Sequence, residues 1–209
     1  SSEIIEANAA DLKAARENGM SVSMQDRLML NEDRINGISD AVSELIKLED
    51  PIGRVDNGSV RPNGLRITKV RVPMGVIGMI YESRPNVTAD AATLCLKTGN
   101  AVILRGGKEA YNSNKCICNI MRDAVEEAGF PKDIIQFVDD TTREVTTELM
   151  KCNKYLDLLI PRGGAGLIRA VTQNATVPVI ETGTGNCHIY IDKSADIEMG
   201  VNITDNGKT

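Results

Sequence analysis

The sequence has few aromatic residues and no tryptophan. Of its 209 residues 3% are aromatic, and 24 lysines and arginines face 29 aspartates and glutamates, which leaves a formal net charge of −5. Nucleic-acid-binding surfaces usually combine a basic face with aromatic side chains on which bases stack. The composition therefore argues against a nucleic-acid partner and is typical of a globular protein, with 42% hydrophobic and 25% charged residues.

The sequence also lacks what a metal centre, a membrane span or a disulfide framework requires. It contains one histidine, and Cys116 and Cys118 stand too close together for the spacing of a zinc knuckle. No apolar run approaches the length that crosses a bilayer, so no membrane association is predicted. The five cysteines are an odd number, and no signal-like segment precedes them, so we predict a reducing, cytoplasmic location.

Two standard nucleotide-binding motifs are missing. The run Gly183-Thr184-Gly185 lacks the final glycine of the dinucleotide fingerprint. The run Gly207-Lys208-Thr209 lacks the glycine that a phosphate loop needs five residues earlier, where Asn202 stands. Any nucleotide site must therefore be built from less regular loops.

Helical periodicity and turn residues divide the chain into an N-terminal helical part, a hairpin and an alternating part. Helices are predicted over Glu3–Asn18 and from Asn31. The Asn63-Gly64 pair predicts the turn of a hairpin that joins Gly53–Ser59 to Leu65–Val70.

From Gly75 onward the pattern alternates between strands and helices, which predicts an α/β fold with a doubly wound, mostly parallel sheet. The predicted strands are Gly75–Tyr81, Ala101–Leu104, Ile135–Val138, Leu156–Ile160, Val177–Ile180 and His188–Ile191. The predicted helices lie within Val87–Thr98, Ser113–Ala128, Thr142–Met150 and Gly164–Asn174.

The loops that follow several of these strands combine glycine with charged side chains. Because doubly wound folds bind ligands where the carboxyl ends of parallel strands meet, we expect these loops to lie together. Glycine at a helix start exposes backbone N–H groups that favour phosphate. A tight turn explains any one loop alone, but together they favour a nucleotide site. The loops are Tyr81–Thr88, Arg105–Glu109, Pro161–Gly166 and Glu181–Gly185.

The same segments resemble the glutamate-5-semialdehyde dehydrogenase (gamma-glutamyl phosphate reductase) family of the aldehyde dehydrogenase superfamily. The runs that carry the resemblance are Val76–Thr88, Leu94–Glu109, Leu159–Leu167 and Pro178–Tyr190. The resemblance implies an aldehyde dehydrogenase-like fold with N-terminal helices in residues 1–52, a protruding oligomerisation hairpin in 53–72 and a Rossmann-like cofactor-binding sheet in 73–209. It also implies a catalytic domain beyond residue 209.

The implied reaction is the NADPH-dependent reduction of L-glutamyl 5-phosphate to L-glutamate 5-semialdehyde and phosphate, the second step of proline biosynthesis. A cysteine thiolate attacks the acyl phosphate, and hydride from the cofactor then reduces the thioester. The resemblance further implies a homo-oligomer and an association with glutamate 5-kinase, as a fused domain or a partner.

The family's nucleophile follows the stretch with which this chain ends. We therefore expect a fragment that binds NADPH without turnover. We also expect that none of its cysteines is the nucleophile. If one of them is, Cys187, which stands beside His188, is the strongest candidate. The alternative is a non-catalytic nucleotide-binding or assembly module.

Residue by residue, the resemblance implies two catalytic positions. Asn86 matches the asparagine whose amide stabilises the oxyanion; a turn residue after Pro85 is the alternative. Glu181 matches a glutamate near the nicotinamide, which acts as a general base in oxidative relatives.

The implied cofactor-binding positions lie on the strand-end loops. Arg105, Gly107 and Lys108 match the segment that contacts the adenosine ribose. At the position of Lys108, NAD-preferring relatives carry a carboxylate, and a lysine there favours the 2′-phosphate of NADPH. The alternative is that Arg105 and Lys108 are two exposed basic residues after a strand with no role in cofactor binding. The remaining implied contacts are the pyrophosphate-side turn Gly163 and Gly164, and the run Glu181, Thr182 and Gly183.

Overall fold

The computed structural model describes residues 1–183 and 188–208, and a parallel sheet lies at its centre. Three helices come first, followed by a hairpin and then by alternating strands and helices. The helices are α1 (Ser2–Glu17), α2 (Val22–Leu28), α3 (Glu32–Lys47), α4 (Asn86–Lys97), α5 (Tyr111–Glu127), α6 (Arg143–Leu149), α7 (Ala165–Asn174) and α8 (Ile197–Lys208). The strands are β1 (Val55–Val60), β2 (Arg66–Val70), β3 (Val76–Tyr81), β4 (Ala101–Arg105), β5 (Ile135–Phe137) and β6 (Leu158–Arg162).

The order of the central strands defines where a ligand is expected. The sheet runs β5-β4-β3-β6, and all neighbours are parallel. The chain moves outward from β3 through β4 to β5 and then returns to the other side of β3. The switch in direction therefore falls between the carboxyl ends of β3 and β6, where Tyr81 pairs with Arg162. Open α/β sheets bind ligands at such a point.

Both faces of the sheet are covered, which confirms the doubly wound prediction. Alternate residues of β3 point to opposite sides, so Met79 joins one core and Ile80 the other. The first core packs α4 and α5 against the sheet, and the second packs α6 and α7. Fully buried members include Ala92, Val102, Leu104, Ile135, Leu159 and Val171.

The N-terminal helices dock on the helices of the first face. α1 lies along α5 and α3 lies along α4. Ser21 begins α2 by accepting a hydrogen bond from the N–H of Met24, and Asn31 begins α3 in the same way with Arg34. Leu28 and Leu30, in and after α2, are buried against these helices.

The predicted hairpin is present and extends from the sheet domain. β1 and β2 pair in antiparallel fashion, and every residue of both strands is exposed. The Asn63-Gly64 signal marks the observed turn, where Gly64 adopts φ +82, a backbone conformation that favours glycine. Arg71 and Asp56 form an ion pair of 2.9 Å at its base.

Two predicted strands are wrong. Val177–Ile180 forms a single parallel bridge, between Leu159 and Val179, because Pro178 has no N–H to extend a ladder. His188–Ile191 is irregular and exposed, and no strand of the described residues pairs with it.

The helices α2 and α8 were not predicted. α8 contains Gly207 and Lys208, which agrees with the rejection of a phosphate loop there, since the glycines of that motif form a loop. Within the described ranges, no helix combines the length and the apolar character needed to cross a membrane.

Candidate active site

Three strand-end loops meet at the switch point and are joined by two carboxylates. On the β6 side, Oε2 of Glu82 accepts a hydrogen bond of 2.8 Å from the N–H of Gly164. On the β4 side, Oε1 of Glu109 accepts hydrogen bonds from the N–H and hydroxyl of Ser83, at 3.0 and 2.6 Å. The loops that the sequence analysis expected to converge after β3, β4 and β6 are therefore in contact.

A cleft of about 720 Å³ opens beside these loops. Helices α2, α3 and α4 form its other walls. Its lining combines apolar side chains with charged ones at the strand ends, on α2 and on α4. The apolar residues include Met24, Val42, Leu45, Met79, Val87 and Leu94, and the charged residues are Arg27, Glu82, Arg84, Asp90 and Arg162.

Asn86 lies in this cleft as the first residue of α4. Its Nδ2 donates a hydrogen bond of 3.0 Å to Oδ2 of Asp90, one turn further along the helix. Burial raises the pKa of Asp90, and the hydrogen bond from Asn86 acts in the opposite direction. An amide group carries two N–H hydrogens, so one remains for a ligand while Asp90 fixes the other.

The two basic residues predicted to contact the ribose have different surroundings. The guanidinium of Arg105 donates to the carbonyls of Thr141, at 2.6 Å, and of Thr142, at 3.1 Å, and its Nε is buried without a partner among the described residues. Burial lowers the pKa of Arg105. Lys108 is exposed, and no hydrogen bond or ion pair joins its ammonium to the described residues.

A second cleft, of about 570 Å³, lies beside Lys108 and is lined also by Tyr111, Asp139 and Thr141. Arg105 thus holds the loop after β5, whereas Lys108 is available to a ligand. Gly107 is buried next to Lys108, and a side chain there would collide with the carboxylate of Glu109.

The turn predicted to bind pyrophosphate is at a helix start, as expected, since Gly164 immediately precedes α7. Its N–H is nevertheless taken by Glu82. A β-carbon on Gly163 would lie 2.5 Å from Oε2 of Glu82 and 2.9 Å from Cδ2 of Leu167. The missing side chain therefore leaves room for the Glu82 carboxylate, which would have to turn away before a phosphate could take its place.

The third group of predicted site residues lies apart from this network. Glu181, Thr182 and Gly183 follow the bridge at Val179 and are exposed. No hydrogen bond or ion pair connects them to the described residues. Their assignment therefore stays a prediction. The Cys187 alternative falls outside the described residues.

Comparison with known proteins decides the family. The sequence model of the aldehyde dehydrogenase family matches residues 2–209. The chain belongs to the aldehyde dehydrogenase family. A gamma-glutamyl phosphate reductase of Clostridium perfringens is 63% identical over 99% of the chain, which covers 50% of that protein. The crystal structure of gamma-glutamyl phosphate reductase from Thermotoga maritima superposes with a TM-score of 0.89 at 50% identity, over 100% of this chain and 50% of that one.

More distant aldehyde dehydrogenases share the architecture. An acetylating aldehyde dehydrogenase from Geobacillus thermoglucosidasius gives a TM-score of 0.70 at 26% identity, over 99% of this chain and 46% of that one. The chain spans about half the length of the curated relatives it matches. Aldehyde dehydrogenase family enzymes use a nicotinamide cofactor, which accepts or supplies hydride.

Two parts of the predicted site, Lys108 and the N-terminus of α7, differ in how well they suit the anionic groups of such a cofactor. The unpaired ammonium of Lys108 beside an open cleft suits an anionic group. The N-terminus of α7 suits a phosphate only after Glu82 has moved. Since Glu82 is exposed, its side chain has room to do so.

Sequence reasoning missed the residues that hold the loops in place. Asp11 on α1 accepts four hydrogen bonds from the start of α5, two from Asn112 and two from Ser113. Glu82 and Glu109 join neighbouring loops across large sequence separations. Acidic residues in a helix or loop give no signal of such partners, because the partners are brought close only by the fold.

Three of the described cysteines, Cys95, Cys116 and Cys118, do not resemble activated nucleophiles. Cys95 and Cys118 are buried, and burial raises the pKa of each thiol to about 11. Burial also raises the pKa of Cys116. These thiols stay protonated at neutral pH, whereas the reactive form is the thiolate. Within the described part of the chain, no histidine, cysteine and carboxylate side chains group as metal ligands would.

Proposed function

We propose that this chain is the cofactor-binding part of a gamma-glutamyl phosphate reductase. The reaction is the NADPH-dependent reduction of L-glutamyl 5-phosphate to L-glutamate 5-semialdehyde and phosphate, in proline biosynthesis. The name of the Clostridium perfringens relative supports this reaction, at 63% identity over 99% of the chain. The observation that carries the proposal is the convergence of the loops after β3, β4 and β6 beside one cleft, with Asn86 at its rim.

In this proposal Lys108 selects NADPH by binding its 2′-phosphate. Lys108 is exposed and unpaired among the described residues, so the contact costs no existing ion pair. Arg105 contributes indirectly, by holding the loop of Thr141 and Thr142 beside the same cleft. Gly107, Gly163 and Gly164 let the backbone approach the cofactor, and Thr182 and Gly183 extend that surface.

Asn86 is proposed to stabilise the negative oxygen that develops on the substrate carbonyl. Its hydrogen bond to Asp90 holds the amide in a fixed orientation, which is what a preorganised donor requires. Glu181 is proposed to lie near the nicotinamide. The nucleophilic cysteine is proposed to be none of the described ones, since Cys95 and Cys118 are buried with raised pKa values.

The whole protein is proposed to be a cytoplasmic homo-oligomer, with glutamate 5-kinase as a functional partner. The free state of the described cysteines supports a reducing location. The exposed hairpin supports assembly, because an isolated two-stranded hairpin is only marginally stable in water.

The test measures cofactor affinity and turnover separately, in the natural protein that contains these residues. Fluorescence titration is expected to give tighter binding of NADPH than of NADH. Lys108→Glu is expected to reduce that preference about tenfold to a hundredfold, the value of a charge-assisted contact. Lys154→Glu, on an exposed loop outside both clefts, is the matched control and should leave the preference unchanged.

Turnover is assayed as reduction of NADP in the presence of L-glutamate 5-semialdehyde and phosphate. Equal affinities for NADPH and NADH in the unmodified protein would refute the cofactor assignment. Cofactor binding without turnover would instead favour a non-catalytic binding module, the alternative that the sequence analysis left open.

A further inference from the structure

Three arginines line the cleft at the strand ends without an anionic partner. They are Arg27 on α2, Arg84 after β3 and Arg162 at the end of β6. Among the described residues, no hydrogen bond or ion pair involves their guanidinium groups. In contrast, Arg34, Arg71 and Arg122 each pair with an aspartate within 3.2 Å.

The two carboxylates of the same cleft do not neutralise these arginines. Glu82 is directed to the N–H of Gly164, and Asp90 is directed to the amide of Asn86. Neither forms an ion pair with an arginine in the described chain. The cleft therefore presents three positive groups whose charge is not locally compensated, which favours an anionic ligand.

The arginines belong to different elements of the cleft wall. Arg162 pairs with Tyr81 at the carboxyl ends of β6 and β3, and Arg84 follows in the loop that leads to Asn86. Arg27 lies on the separate helix α2. The same wall contains apolar side chains of α3 and α4, among them Val42, Leu45, Val87 and Leu94. A ligand that suits this lining carries two anionic groups joined by an aliphatic chain.

We propose that Arg84 and Arg162 bind the phosphate of the acyl phosphate substrate and that Arg27 binds its α-carboxylate. This inference rests on the proposed function. In L-glutamyl 5-phosphate the phosphate is attached to the reacting carbonyl carbon, so it must lie near Asn86, the proposed oxyanion donor. The carboxylate at the far end of the carbon chain then reaches Arg27, and the methylene groups lie along the apolar wall. Planar guanidinium groups suit both anions, because they can donate two parallel hydrogen bonds.

The reverse reaction separates the two anionic sites, because phosphate and L-glutamate 5-semialdehyde are then independent substrates. The natural protein is assayed with NADP while one substrate is varied at a time. In Arg84→Gln and Arg162→Gln, KM for phosphate is expected to rise about tenfold to a hundredfold, with KM for the semialdehyde nearly unchanged. Arg27→Gln is expected to show the opposite pattern.

Further measurements distinguish a direct contact with the substrate from structural damage to the cleft. Propanal lacks the α-carboxylate, so Arg27→Gln should not change KM for propanal. Arg84→Lys should recover part of the phosphate affinity, because it keeps the charge but loses the two-pronged geometry. Arg16→Gln, on the exposed face of α1 and outside the cleft, is the matched control. Thermal unfolding of each variant monitors folding.

The outcomes are distinct. An active parent whose arginine variants leave both KM values unchanged, or raise both equally, would overturn this inference while the proposed function stands. A parent that binds the cofactor but forms no product from the semialdehyde and phosphate would overturn the proposed function, and this inference with it.

Discussion

On the β4 side of the sheet edge, buried side chains tie the loop of Lys108 to other elements, whereas on the β6 side the loop of Gly163 and Gly164 has one exposed carboxylate as its partner. Asp11, which is buried, accepts four hydrogen bonds at the start of α5, immediately after the β4 loop. Glu82, on the β6 side, accepts one.

A buried polar chain reinforces the β4 side. The hydroxyl of Tyr81 lies 2.7 Å from Oγ1 of Thr88, which donates to Oδ1 of Asn114 at 3.0 Å. All three side chains are buried, and burial raises the pKa of Tyr81. Nδ2 of Asn114 has no partner among the described residues. The hydrogen bonds that are made still favour one arrangement of the three side chains, because losing a buried hydrogen bond is costly.

The difference separates a fixed part of the site from an adjustable one. The β4 side places Lys108 with little freedom for the backbone around it. The β6 side can release Glu82 from Gly164 at small cost, since an exposed hydrogen bond is readily replaced by water. The stability of the chain should therefore depend on the β4 side, and rearrangement on ligand binding should occur on the β6 side.

The largest expected effect follows from removing the Asp11 carboxylate. Asp11→Ala leaves the N–H groups of the exposed Asn112 and the buried Ser113 without their partner at the start of α5, so the free energy of unfolding should fall by about 3 kcal/mol. Urea denaturation measures the change. Glu17→Ala, at an exposed position of the same helix, is the control and should shift the value by less than about 0.5 kcal/mol. A loss below 0.5 kcal/mol in Asp11→Ala would contradict a fixed β4 side.

The same substitution in both loops tests the comparison directly. In Gly106→Ala the new methyl group meets Nδ2 of the fully buried Asn114, and the unfolding free energy should fall by about 1–3 kcal/mol. In Gly163→Ala the methyl group meets the carboxylate of Glu82, which is exposed and can move, so the loss should stay below about 1 kcal/mol. Equal losses in the two variants would remove the distinction between the two sides.

The alternation of apolar runs and turn residues predicted the sheet well because those signals are local. Gly99 ends the helix before β4 with φ +70, a backbone conformation that glycine tolerates, and the apolar run that follows is buried as a strand. The strand predicted at His188–Ile191 fails for a non-local reason. Its apolar side chains are exposed, and no strand edge of the described sheet accepts it.

The candidate site was predictable only in part. The resemblance singled out Asn86, Lys108 and the Gly163-Gly164 turn, whose roles stay predictions, and the structure brings their three loops together. The resemblance did not indicate that Arg105 would donate hydrogen bonds to backbone carbonyl groups or that Glu82 would accept a hydrogen bond from the N–H of Gly164. Such contacts depend on which loop neighbours which in space, and a single sequence does not contain that information.

A smaller effect on stability is expected from the ionisation of Asp90, which lies on α4 in the wall of the cleft. Burial raises its pKa, so the folded chain holds the proton more tightly than the unfolded chain does. The ionised carboxylate therefore lowers stability above the folded-state pKa, and this penalty disappears as the pH falls below the unfolded value of about 3.9. Asp90→Asn, which can still accept from Asn86, should melt slightly higher than the parent at pH 7 and equal to it near pH 3. A difference that does not depend on pH would contradict this assignment.

The smallest change in intrinsic stability is expected in the hairpin, the region least connected to either side of the site. Ile67 in β2 is 45% exposed, whereas Ile80 in β3 is 1% exposed. At protein concentrations too low for assembly, Ile67→Thr should change the unfolding free energy by less than about 0.5 kcal/mol, and Ile80→Thr should cost several times more. If the hairpin pairs with a second copy, the cost of Ile67→Thr should grow as the protein concentration rises, because assembly stabilises the folded state by mass action. Analytical ultracentrifugation alongside urea denaturation measures both quantities. A loss of unfolding free energy in Ile67→Thr that exceeds about 1 kcal/mol at every protein concentration would mean that the hairpin packs within its own chain. A loss that stays small at every concentration would argue against a role of the hairpin in assembly.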